Sequence, residues 1–168
     1  MTRLLEQSRN SLEQAKDQHK EKNEMDNEFV HEFNSLLAGE RSCVETYDLA
    51  LGKARQADVL ETLTYCRNNH MARVALLTSH VLSMGGTPNE SAGLWGGFDK
   101  FVQDSAPNER DSVAMLEQAE AERLVNYEAQ RDLVIGPVRV CILNELLPAQ
   151  HETHLALSTL LKNLPKAA

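Results

Sequence analysis

The stretch Leu36–Leu51, LLAGERSCVETYDLAL, decides the fold. Together with Phe33 it sets Leu37, Glu40, Val44, Tyr47 and Leu51 at steps of three and four residues. That spacing puts them on one face of a helix. One member of this apolar face is a carboxylate, Glu40. A carboxylate on a buried stripe is costly unless it is paired, hydrogen-bonded or bound to a metal. Tyr47 lies two turns further along the same face.

The device occurs a second time. Over Val113–Val134 the stripe is Val113, Leu116, Glu120, Leu124, Tyr127, Arg131 and Val134, with Glu120 seven residues before Tyr127. A helix with a His on its apolar stripe follows each of these. His70 stands in the series Val59, Leu63, Arg67, His70, Val74, Leu77, Val81. His154 stands in Leu143, Leu147, Gln150, His154, Leu157, Leu161. The order Glu helix, His helix, Glu helix, His helix is a weak internal duplication.

The 168 residues suffice for one domain with a substantial core. Aromatic content is 5%, and Leu, Ala, Glu and Gln dominate, which favours helix over sheet. The formal net charge of -8 argues against nucleic acid, whose phosphates need clustered Lys and Arg, and against an anionic membrane surface. Cys43, Cys66 and Cys141 are odd in number and form no CxxC pair; they read as buried free thiols in a reducing compartment. The segment MTRLLEQSRN lacks the apolar run of a signal peptide, and no stretch is apolar enough to span a bilayer. A cytoplasmic protein is the expectation.

Residues 1–26 are rich in Gln, Lys, Glu and Asn and are expected to form a polar extension, partly helical or mobile, ahead of a domain over 27–168. Gly39 inside a strong helical pattern predicts a close helix approach. Helix one should end near Lys53–Gln56, and helix two should run from an Asp58 N-cap to Met84, stopped by Gly85-Gly86. Thr87–Pro107 reads as a long crossover with a short helix carrying Leu94, Trp95, Phe98, Phe101 and Val102. Helix three should span Asn108–Arg110 to Ile135, with Gly136-Pro137 making the next turn. Helix four should run from Val138 to Leu164, kinked or bulged at Pro148. Two short connections and one long one predict an all-α, antiparallel four-helix bundle.

These residues resemble the ferritin-like superfamily, rubrerythrin in particular, which carries a Glu before a Tyr on helices one and three and ExxH on helices two and four. AGERSCVETY resembles the first motif and AEAERLVNY the third, matching Glu40 and Glu120 to metal-binding glutamates. RNNHMARV and HETHLALS resemble the second and fourth, matching His70 and His154; Arg67 and His151 then hold the positions of the motif's glutamates. A bacterial ferritin-like family of unknown function is similar in layout, with a crossover like LSMGGTPNESAGLWGGF and a helix four with Gln and His four apart, as Gln150 and His154 are. The resemblance covers residues 30–162. It implies a stress- or metal-related bacterial protein.

The expected metal-ligating set is Glu40, His70, Glu120 and His154, with His151 as an extra ligand and Arg67, Tyr47, Tyr127 and Gln150 around them. Arg cannot coordinate and stays charged, so a second cation beside Arg67 is disfavoured and with it di-iron ferroxidase chemistry. Three readings follow. The set holds one divalent metal, with Fe, Mn, Zn or Ni suited to its carboxylates and imidazoles. Alternatively, Arg67 replaces the metal in a buried ion-pair network and the protein is a non-enzymatic interaction module. In the third, Arg67 points outward, a Gln or Glu from another turn completes a di-metal site, and the protein is an active di-iron oxidase or peroxidase. A homodimer through an outer helix face is the expected self-association. Glu28 and His31, His80, and Glu117, Glu122, Arg123 and Glu128 read as surface or helix-end residues.

Overall fold

The computed structural model describes residues 2–92 and 108–165, with side chains from residue 16 onward. Among them every regular element is helical. Helix α1 spans Thr2–Lys53, α2 Ala57–Ser83 and α3 Glu109–Leu133. The last rod begins with α4, Gly136–Cys141, widens into a π-helical turn at Ile142–Leu146 and continues as α5, Leu147–Asn163. The short crossover helix expected around Leu94, Trp95, Phe98, Phe101 and Val102 falls outside the described residues.

At 1.5 Å per residue the 52 residues of α1 reach about 78 Å and the 27 of α2 about 40 Å, so α1 runs well past its partner. No Pro interrupts α1. Its side chains from Lys16 to Glu28 are exposed, apart from a half-buried Asp26, and a regularly buried face starts at Phe29.

The turns follow local chemistry. Gly85 (φ 75°) ends α2 and Gly136 (φ 59°) opens α4, both in the left-handed region that favours glycine. A Cβ on Gly136 would also come within 2.8 Å of the Phe29 ring. The start of α2 differs from the expected Asp58 cap. Gln56 holds the N-cap position without a side-chain bond. The Glu109 carboxylate instead accepts from the Arg55 and Gln56 amides, at 2.6 and 3.1 Å, and from the Gln56 side chain. Asn108 caps α3 by accepting from the Asp111 amide at 2.9 Å. The π turn ends two residues before Pro148. A Pro at that position cannot donate to the preceding turn and crowds it, and the wider turn relieves this.

α1 packs chiefly on α2 and α3 chiefly on α5, and α2 and α5 join the two pairs; α1 and α3 come less close. Two apolar layers result. One gathers Phe29, Phe33, Leu37, Leu77, Val81, Ile142 and Leu146. The other gathers Ala50, Val59, Leu63, Val113, Leu116, Leu157 and Leu160. His80 stacks on Phe33, with ring centroids 4.7 Å apart and planes 3° from parallel, so it is a packing residue and not a surface one. Cys43, Cys66 and Cys141 are buried free thiols. No helix of the described residues is long and apolar enough to cross a membrane.

Candidate functional site: a buried charge network

Between the two apolar layers the chain buries polar side chains from every rod: Glu40 from α1, His70 and Arg73 from α2, Glu120 from α3, Gln150 and Thr153 from α5. Helical periodicity puts them there. His70 and Arg73 are three residues apart, as are Gln150 and Thr153, so each pair shares one helix face.

His70 bridges the two acids. Its Nδ1 lies 2.6 Å from Glu40 Oε2 and its Nε2 2.8 Å from Glu120 Oε1. The tyrosines bond crosswise. Tyr47, on the helix of Glu40, donates to Glu120 Oε1 at 2.8 Å. Tyr127, on the helix of Glu120, donates to Glu40 Oε1. Arg73 points its Nη1 at Gln150 Oε1, 2.5 Å away, and at Glu40 Oε1, 3.5 Å away, while its Nη2 donates to Thr153 Oγ1 at 3.2 Å. Gln150 Nε2 and Thr153 Oγ1 both donate to Glu120 Oε2, at 2.7 and 2.5 Å. All four carboxylate oxygens therefore accept from protein donors, which is what buried carboxylates require.

The charges follow from these contacts. Burial alone would raise the Glu40 carboxyl, but Arg73 and then His70 outweigh it and hold it well below the usual carboxylate range. Burial opposes ionisation of Glu120 too, yet His70 and Arg73 bring it down to about 2. Burial would lower the His70 pKa; Cys43, Glu120 and Glu40 around the ring raise it well above the ordinary value. The direct carboxylate contacts on both ring nitrogens make imidazolium the form that fits. Burial and the neighbouring carboxylates push both tyrosines up, so they remain neutral donors. Burial pushes the Cys66 thiol up to about 12.

Of the residues singled out from sequence, Glu40, His70, Glu120, Tyr47, Tyr127 and Gln150 meet in this cluster. Three do not. Arg67 turns outward and bonds Asp48 Oδ1 at 2.5 Å and the Met71 sulfur, because it sits one position off the buried series Val59, Leu63, Cys66, His70, Arg73, Leu77. His154 is half-buried and meets Glu117 Oε1 at 3.1 Å, away from the centre. His151 is exposed. Gln150 and Thr153 hold the inward positions of α5 instead.

Arg73 and Thr153 escaped the sequence reading. The signal for both was the alternation of three- and four-residue steps: from His70 it lands on Arg73, and from Gln150 on Thr153. Gly39 has a different purpose from the expected helix approach. A Cβ there would stand 3.2 Å from Arg123 Nη1, so the glycine leaves room for a guanidinium.

Two metal arrangements can be tested against these side chains. A dinuclear centre of the ferritin-like kind does not fit. Its cations would need the carboxylate oxygens that Tyr47, Tyr127, His70, Gln150 and Thr153 occupy, next to a guanidinium that repels them. A single ion has a closer candidate set. Glu40, Cys43 and His70, all buried, offer ligand atoms within 4.8 Å of one another and could hold a metal. A carboxylate, a thiolate and an imidazole suit zinc.

No family model matches the chain, and neither curated proteins nor solved structures give a match.

Proposed function

We propose that the chain is a ferritin-like, antiparallel four-helix bundle whose inner cluster is held by protein charges, and that it serves as a non-enzymatic interaction module. The supporting observation is Arg73. It reaches Glu40 directly at 3.5 Å and Glu120 through Gln150 and Thr153, while His70 bridges the two acids. The sequence reading gave the metal-replacing role to Arg67; Arg73 is the residue suited to it. If the resemblance holds, the motif positions of helices two and four fall on His70 and Arg73, and on Gln150 and Thr153. These two pairs are three residues after Arg67–His70 and one residue before His151–His154. None of the four is a carboxylate. Di-iron oxidase or peroxidase chemistry is disfavoured on that donor set.

A second copy of the chain fits as the partner, because Ile135, Val140 and Leu143 are exposed, at 67%, 56% and 40%. Light scattering tests this: a dimer that Ile135→Lys with Val140→Lys converts to monomer supports it, and a monomer at all concentrations opposes it. Metal analysis tests the centre. Protein purified without chelator and then titrated anaerobically with Fe(II) is expected to take up no iron at Glu40 and Glu120. Two irons per chain, lost in Glu40→Ala, would overturn the reading.

The Glu40, Cys43 and His70 grouping favours a second reading, a mononuclear zinc site. Binding there would take one His70 ring nitrogen from the carboxylate it now faces. Co(II) addition would then give a thiolate charge-transfer band that Cys43→Ser removes; without the band the second reading fails.

A further inference from the structure

Arg123 differs from the other central cations. Among the described residues it makes no side-chain hydrogen bond, and the buried Glu40 carboxylate behind it is the anion whose ionisation it favours. It lines a groove of about 370 Å3 where α1 and α3 stand apart. Leu36 and Leu133 supply apolar wall, and Ser35, Asn126 and Gln130 supply polar groups. Gly39 opens the space beside the guanidinium. A concave site of this size with apolar walls and few polar groups has the build of a small-molecule pocket.

The central charges explain what the groove would take. His70 faces a carboxylate through each ring nitrogen. A neutral ring carries one N–H, so Glu40, His70 and Glu120 hold one further proton between them, and the trio bears a single negative charge wherever that proton sits. Arg73 and Arg123 are both cationic, which leaves one positive charge in excess. Arg73 is committed to Glu40, Gln150 and Thr153. The excess of the central groups therefore sits on Arg123, in the groove, where the exposed Glu122 carboxylate offsets part of it. A zinc ion at Glu40, Cys43 and His70 would displace the shared proton and ionise the Cys43 thiol, which leaves the same excess, so the inference stands under either reading of the centre. Glu122 also lines the groove, exposed and held by Gln118 Nε2 at 3.0 Å.

We propose that this groove binds a small monocarboxylate with an apolar body, its carboxylate on Arg123 and its body between Leu36 and Leu133. One guanidinium matches one negative charge. A dianion such as phosphate would meet Glu122 with a single cation to hold it.

Titration of the 15N-labelled full chain with benzoate, at fixed ionic strength, tests the proposal, with benzamide and inorganic phosphate as controls. Saturable amide shifts are expected at Gly39, Asn126 and Gln130. Benzamide should bind about ten-fold more weakly, and Arg123→Gln should weaken benzoate by about ten-fold or more, the size of a charge-assisted hydrogen bond. Glu122→Gln should tighten benzoate by about two- to five-fold, a gain that a damaged fold cannot produce. Benzamide or phosphate matching benzoate would overturn the proposal. So would Arg123→Gln that binds as before, or Glu122→Gln that leaves affinity unchanged or lowers it.

Discussion

The helix pair α1–α2 and the helix pair α3–α5 present the same frame to the centre and fill it differently. Each first helix gives a glutamate and, two turns on, a tyrosine that bonds the opposite glutamate. Each second helix gives two inward side chains three residues apart. In α2 these are His70 and Arg73, which are cationic; in α5 they are Gln150 and Thr153, which are neutral donors. The acids are shared equally between the halves, while the compensating charge on the second helices comes from one half. Equivalent positions in the two halves should therefore respond unequally to substitution.

The largest inequality is expected at Arg73 and its counterpart Thr153. Arg73→Met leaves buried carboxylates undercompensated and should cost about 3–5 kcal/mol in urea unfolding. Thr153→Val removes a neutral donor to Glu120 and should cost about 1–3 kcal/mol. Equal losses would break the comparison.

The pH dependence comes next, and its sign differs between the acids and the histidine. Glu40 and Glu120 have lowered pKa values, so their contribution is present above the ordinary value of 4.5 and fades as pH falls, for Glu120 down through about 2. His70 has a raised pKa, so its contribution is full below 6.5 and is lost as pH rises towards the folded value. The urea midpoint at constant ionic strength should be highest between about 4.5 and 6.5 for these groups. In His70→Gln the decline on the alkaline side should flatten. An unchanged alkaline limb would remove His70 from the account.

The tyrosines sharpen the comparison from the other side, because here the halves match. Tyr47→Phe and Tyr127→Phe should each cost about 1.5–3 kcal/mol, the range for a hydrogen bond to a charged group. A large difference between them in the same unfolding assay would mean that the crosswise pairing is unequal. The smallest effect is expected at Arg67. Its ion pair with Asp48 is solvent-facing, and Arg67→Ala should leave the urea midpoint close to that of the unaltered chain.

Much of this was legible in the sequence, for physical reasons. Helix ends were marked by Gly85 and Gly136, whose positive φ values few other residues adopt readily. Glu40, Glu120 and His70 stood out because a charge on an apolar stripe needs a partner. The rotation of the second and fourth rods was harder to read. The stripe chosen for helix two took Arg67 and Val74, where the buried residues are Cys66 and Arg73. The stripe chosen for helix four took Leu143 and His154, where they are Ile142 and Thr153. Both errors replace a three-residue step with a four-residue step. A long charged side chain also looks like a surface residue in sequence, so Arg73 invited the wrong face. The glutamates could be read without their tertiary neighbours; the cation that offsets them could not.

The central claim is that His70 carries both ring protons between two ionised glutamates. Long-range 1H–15N correlation on protein labelled at histidine, at pH 8 with and without chelator, tests it most directly. The account predicts that His70 shows the imidazolium pattern, with both nitrogens protonated and unaffected by chelator. A neutral tautomer with one bare or metal-bound nitrogen would contradict it.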